Sequence, residues 1–137
     1  MREIKFRAWD DVKDRMLYLG EEDDIVFEFG GSGIVATDIT EDEPNFKTLH
    51  HLIYLQYTGL KDKNGREIYE GDIVRITSED DEEEFNICEV KYSGGAFQVD
   101  VSGLSSDYDV TAVGWVEYTT IEVIGNIYED PGLIESK

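Results

Sequence analysis

Five oxygen-bearing side chains fall within eleven residues near the middle of this chain: Asp62, Asn64, Glu67, Glu70 and Asp72, with Gly65 and Gly71 between them. Side chains of these types could cage a calcium ion, for which a loop of the EF-hand type sets oxygens at alternate positions and glycine at the sixth. Counted from Asp62, Gly65 is only fourth, and Arg66 places a cation among the would-be ligands. The spacing suits a chain reversal instead. Gln56 to Leu60 and Ile68 to Ile76 are rich in β-branched and aromatic residues, which predicts two strands of a hairpin. Asn64-Gly65 offers the two positive-φ positions of a type I′ turn, and Asp62 can accept from amides ahead of it. Gly71 permits a left-handed or bulged residue, and Asp72 can accept from a turn amide. Asp62, Asn64, Gly65, Gly71 and Asp72 are therefore read as structural turn residues.

Other constellations lose to their packing explanations. His50 and His51 are adjacent, so their side chains diverge on a helix or a strand and chelate poorly. Cys88 alternates with Val90 and Tyr92 as a packed strand residue would. Thirty-two acids guarantee close carboxylate pairs by chance, whereas acid and base catalysis needs two environments that separate pKa values. Gly30 to Gly33 lacks the Lys-Ser or Lys-Thr that would reach a phosphate. No catalytic set, metal site or cofactor is expected. Arg7 and Trp9 share the polar face of the first predicted strand, where an exposed Trp beside Arg can anchor an interface or stack on a base. Tyr57 and Tyr69 on the central hairpin carry the same ambiguity. These four are the candidate partner-binding residues; the competing and preferred reading has Trp9 capping a barrel end and Arg7 paired with an acid.

The elements that must position these residues are mostly short strands. Residues 3 to 9 alternate, with Ile4, Phe6 and Ala8 on one face. Met16 to Leu19, Ile25 to Phe29 and Ile34 to Thr40 follow, separated by polar, acidic and glycine-rich turns. Asn45 to Tyr54 is the one candidate helix, with Phe46, Leu49, Leu52 and Ile53 at helical spacing and Asn45 as N-cap; the same residues could be strand, and the reading is a short helix or turn. It gives way to a strand near Leu52. Phe85 to Tyr92 and Ala96 to Val101 form a second hairpin about Ser93-Gly94-Gly95, Val110 to Tyr118 is broken at Gly114, and Ile121 to Tyr128 closes the series. Many short strands with glycine-rich turns predict an all-β, mainly antiparallel barrel or sandwich. The reading is one domain over residues 1–130, followed by a short tail at 131–137.

Net charge is −20, and it is uneven: residues 1–75 carry 17 acids and 10 bases, residues 76–137 carry 15 and 2. Such a surface repels phosphate, which disfavours direct nucleic acid binding and favours a basic partner. The acidic runs Glu21 to Asp24 and Ser78 to Glu84 read as solvated loops. With no long apolar run and no signal-like N-terminus, no membrane span is expected and residence in the cytoplasm is. A lone cysteine agrees with that compartment.

Three blocks carry a family resemblance: Arg2 to Asp10 (REIKFRAWD), Gln56 to Val74 (QYTGLKDKNGREIYEGDIV) and Val123 to Ile134 (VIGNIYEDPGLI). Together they resemble the YopX family of small bacteriophage and prophage proteins. The resemblance implies a phage or prophage origin, an all-β core like small SH3-like barrels, and a capacity for self-assembly as a homo-oligomer. It implies no established activity. The expectation is a non-enzymatic accessory protein that binds a macromolecular partner, an unidentified host or phage protein, with a basic host protein met by an acidic decoy as its sharpest form. The alternatives are a nucleic-acid-binding module of SH3-like type using Arg7, Trp9 and the basic N-terminal turn, and a small enzyme.

Overall fold

The computed structural model describes residues 5–31, 33–41, 43–93, 95–100, 110–113 and 119–135. The chain forms two compact units, one over Lys5–Leu55 and one from Gln56 onward. Every strand pair described below is antiparallel, and the fold is all-β.

In the first unit, β1 (Phe6–Asp10) and β2 (Arg15–Tyr18) form a hairpin whose register pairs Arg7 with Tyr18 and Asp10 with Arg15. β3 (Ile25–Gly30), β4 (Gly33–Asp38) and β5 (Lys47–Leu49) form a three-stranded meander. Ala8, Leu17, Ile25, Ala36 and Leu52 make the core of this unit, the first four from strands and Leu52 from the link between residues 49 and 53. The candidate helix is absent. Residues 47–49 pair with β4 instead, Thr48 opposite Thr37 and Leu49 opposite Ala36. The helical stripe did not describe one buried face: Leu52 is buried and Leu49 half-buried, whereas Phe46 and Ile53 are exposed. A weak local preference yielded to pairing with a neighbouring strand.

β6 (Ile53–Lys61) runs across the boundary into the second unit and pairs with β7 (Glu67–Tyr69). β8 (Asp72–Ser78) is the central strand of a sheet, between β9 (Phe85–Glu89) and β13 (Thr119–Asn126). β10 (Lys91–Ser93), β11 (Ala96–Asp100) and β12 (Val110–Ala112) form another. Ile68, Val74, Ile76, Cys88, Val90, Phe97, Val99, Val113 and Val123 pack into one cluster, so the sole cysteine is a core residue, as its alternation predicted. The predicted loop over 102–109 and residues 114–118 of the predicted Val110 to Tyr118 strand lie outside the described residues. Residues 132–135, read from the sequence as tail, form a single helical turn, α1 (Gly132–Glu135). Ile134 is half-buried there, which gives that turn a reason to dock.

Candidate functional site

The residues that looked most like a site are the joints of the second unit. Asp62 is buried and its carboxylate accepts three amides: Asn64 and Arg66 on Oδ1, both at 2.9 Å, and Val123 of β13 on Oδ2 at 2.9 Å. Burial alone would push this carboxyl up. The Val123, Arg66 and Asn64 amides, with the Arg66 charge, outweigh it and hold the group below the ordinary aspartate range. A carboxylate with its lone pairs so occupied is a structural pin. The turn it supports is not type I′, because Gly65 (φ +83°) alone of the expected pair has positive φ. The loop has three residues rather than two: Asp62 N donates to Arg66 O at 2.8 Å, and Gly65 N to Asp62 O at 3.0 Å. That is a type I turn closed by a left-handed glycine, a geometry that asks nothing unusual of Asn64. Gly71 is left-handed as expected (φ +85°), and Asp72 Oδ2 accepts the Tyr69 amide at 2.7 Å.

The four candidate partner-binding residues are not on the surface. Arg7 and Trp9 are 2% and 7% exposed, and Tyr57 and Tyr69 4% and 3%, so the exposure expected of a binding face is corrected by the fold. Alternation predicted one buried face of β1, but Arg7 through Asp10 are all buried, which leaves the strand no solvent face there. Tyr57 and Tyr69 sit opposite each other in the β6–β7 ladder with ring centroids 5.4 Å apart. They stack as a cross-strand pair.

Sequence reasoning set His51 aside, yet its Nε2 lies 2.9 Å from Oδ1 of buried Asp10. The same oxygen accepts the amides of Val12 and Lys13 at 3.0 and 3.1 Å, capping the β1–β2 turn in which Asp14 is left-handed (φ 51°). Burial would raise the Asp10 carboxyl, but the Lys13 amide, the His51 ring and the Val12 amide hold it low. Asp11 brings a third ligand atom within 4.8 Å of the other two. With Asp10 Oδ1 already a three-fold acceptor, the group reads as a capped turn. The partners lie 41 residues apart, and nothing in either segment announces the other.

A run of acids does face solvent. Asp80, Asp81, Glu82 and Glu83 are exposed in the loop between β8 and β9. The loop is tied at its base, Ser78 N to Glu84 O at 2.9 Å and Glu84 N to Asp81 O at 3.0 Å, and within it Glu83 N donates to Asp81 Oδ1 at 3.0 Å. Arg75 stacks its guanidinium 4.1 Å from the Phe85 ring where the loop re-enters β9. The run expected to be a solvated loop is thus a closed loop held on two paired strands. Beside β9 lies a groove of about 440 Å³ bordered by Ile87, Glu89, Gln98, Val99, Asp100 and Ile134. Its walls come from four elements, β9, β10, β11 and α1, so no single stretch of sequence reveals it.

The chain is 65% identical over 71 residues to the SPbeta prophage-derived uncharacterized protein YopX of Bacillus subtilis (strain 168). That match spans about half of each protein, 52% of this chain and 52% of the relative. Over its whole length the chain is similar to the crystal structure of protein yopX from Bacillus subtilis, with a TM-score of 0.72 and 36% identity, covering 98% of this chain and 99% of the other. It is also similar to that of protein EF1440 from Enterococcus faecalis, with a TM-score of 0.62, 26% identity and the same coverage. The YopX protein family model matches residues 5–135, nearly the whole chain, and the chain therefore belongs to that family.

Proposed function

We propose that this chain is a non-enzymatic accessory protein of phage or prophage origin that works in the bacterial cytoplasm by binding a basic protein partner through its acidic surface. The prophage derivation of the Bacillus relative supports the origin. The observation that carries the partner class is the closed acidic loop after β8. Six consecutive acids, Glu79 to Glu84, are displayed from a base tied by backbone hydrogen bonds, on a chain of net charge −20. Charge of one sign on an ordered support speeds encounter with an oppositely charged protein and rejects nucleic acid. The nucleic-acid-binding alternative drew on Arg7, Trp9 and the basic N-terminal turn; Arg7 and Trp9 are buried, which leaves it the turn alone.

Immobilised chain is expected to retain basic proteins at low salt and to release them by about 0.5 M salt, where screening shortens electrostatic reach to a few ångströms. Replacing Asp80, Asp81, Glu82 and Glu83 with Asn and Gln is expected to reduce retention. Retention indifferent to both changes defeats the proposal. Retarded migration of DNA or RNA in a gel at low salt would favour the nucleic-acid-binding alternative instead.

A further inference from the structure

The groove beside β9 differs in character from the rest of the acidic surface, because it joins apolar walls to charge. Ile87 and Ile134 are half-buried, so apolar surface meets solvent inside a concave space of about 440 Å³. That volume falls within the range of sites that take ligand groups. Asn86 of β9 donates its side-chain amide to the Asp100 carbonyl of β11 at 2.7 Å, which holds two of the walls as one surface. Glu89 and Asp100 set acids on those walls, and Lys91 adds one cation. Glu84, the last of the six-acid loop, precedes Ile87 by three residues, about 10 Å along an extended chain. That is close to one Debye length at about 0.1 M salt. A cation bound in the groove therefore also feels the loop.

We propose that this groove receives an extended segment of the partner protein in which basic residues alternate with aliphatic or aromatic anchors. The anchor enters between Ile87 and Ile134, and the flanking basic residues meet Glu89, Asp100 and the 79–84 loop. The inference rests on the basic-partner reading and names where that partner sits. Charge complementarity chooses the occupant: another copy of this chain would bring its own −20 against these acids, and a nucleic acid would bring phosphates. An extended peptide turns alternate side chains to opposite sides, so an apolar anchor and charged neighbours suit a groove with an apolar floor and acidic margins. Rim charge mainly accelerates association, whereas a buried anchor slows release. The groove supplies what the exposed loop lacks.

The test uses the full chain with isotope-labelled isoleucine methyl groups and three short capped peptides: lysine alternating with leucine, lysine with serine, and glutamate with leucine. The Ile87 and Ile134 methyl signals are expected to shift saturably with the lysine–leucine peptide, about tenfold more weakly with lysine–serine, and not with glutamate–leucine. Gln98→Trp, which fills the groove, and the surface pair Glu89→Lys with Asp100→Lys are each expected to weaken lysine–leucine binding about tenfold or more. Equal affinity for lysine–serine, affinity indifferent to both variants, or methyl signals that do not move would overturn the proposal. A second arm separates this from the wider reading. Basic proteins retained equally by wild type and Gln98→Trp would remove the groove and spare the basic partner. No retention by wild type would remove the partner reading, while saturable methyl shifts would still support the groove.

Discussion

Asp62 shows how a carboxylate in a glycine-rich segment can be mistaken for a ligand. Its three amide partners occupy most of its acceptor capacity, and removing it would orphan donors in a buried setting. Asp62→Ala is expected to cost about 3 kcal/mol of stability, read as a lower midpoint in urea unfolding. Its pH dependence follows from the depressed native pKa. The contribution is complete above the ordinary aspartate value of 3.8 and is lost as pH falls through the lower native value. The gap between wild type and Asp62→Ala should therefore be widest above the ordinary aspartate value and narrow as the pH falls below it. A gap that widens on acidification would contradict the pin. Gly65→Ala is a milder probe, with no neighbour within 4 Å of an added Cβ but a φ of +83°, so about 1 kcal/mol is expected from backbone strain alone.

At the scale of elements, the turn after β13 offers a sharper test. Gly125 sits at a register shift in the β8–β13 ladder, and a Cβ there would lie 2.6 Å from Asp130 Oδ2. That oxygen accepts the Asn126 amide at 3.2 Å. Gly125→Ala should displace the Asp130 carboxylate and cost about 1 kcal/mol, and less than half of that in an Asp130→Ala background, by a double-mutant cycle in urea. Additive costs would mean that the two do not share a contact. Legibility at this scale was uneven for physical reasons. Strands bounded by glycine turns were readable because alternation and turn chemistry are local: Ser93 and Ala96 close the β10–β11 hairpin, and Asp72 caps its turn. Residues 45–52 were not, because Leu49 and Leu52 satisfy helical and extended patterns alike and only pairing with β4 decides. The burial of Arg7 and Trp9 was equally hidden, since alternation names two faces of a strand but not how many are covered. The groove required knowing that β9, β10, β11 and α1 converge.

For the molecule as a whole, charge is the dominant long-range quantity. Thirty-two acids against twelve bases repel one another in the folded state more than in an expanded chain. Raising sodium chloride from about 0.01 to about 0.5 M, which cuts the screening length from about 30 Å to a few ångströms, should therefore raise the melting temperature by several degrees. A fall over that range would mean that ion pairs such as Lys63 with Glu122 outweigh the repulsion. The same salt series gives opposite signs for stability and for binding the proposed partner.

The reach of Asp62 to Val123 also bears on when this protein can fold. Sixty-one residues separate the carboxylate from the amide it accepts, and the neighbouring Lys63 amide donates to Ile121 on the same distant strand. During synthesis the central hairpin leaves the ribosome with a carboxylate destined for burial and no β13 to receive it. Its Oδ1 can already accept the Asn64 and Arg66 amides, but Oδ2 must be solvated by water, and the hairpin stays open to the medium until the last strand arrives. The second unit should thus acquire resistance to protease late and in one step, as nascent chains lengthen past Val123.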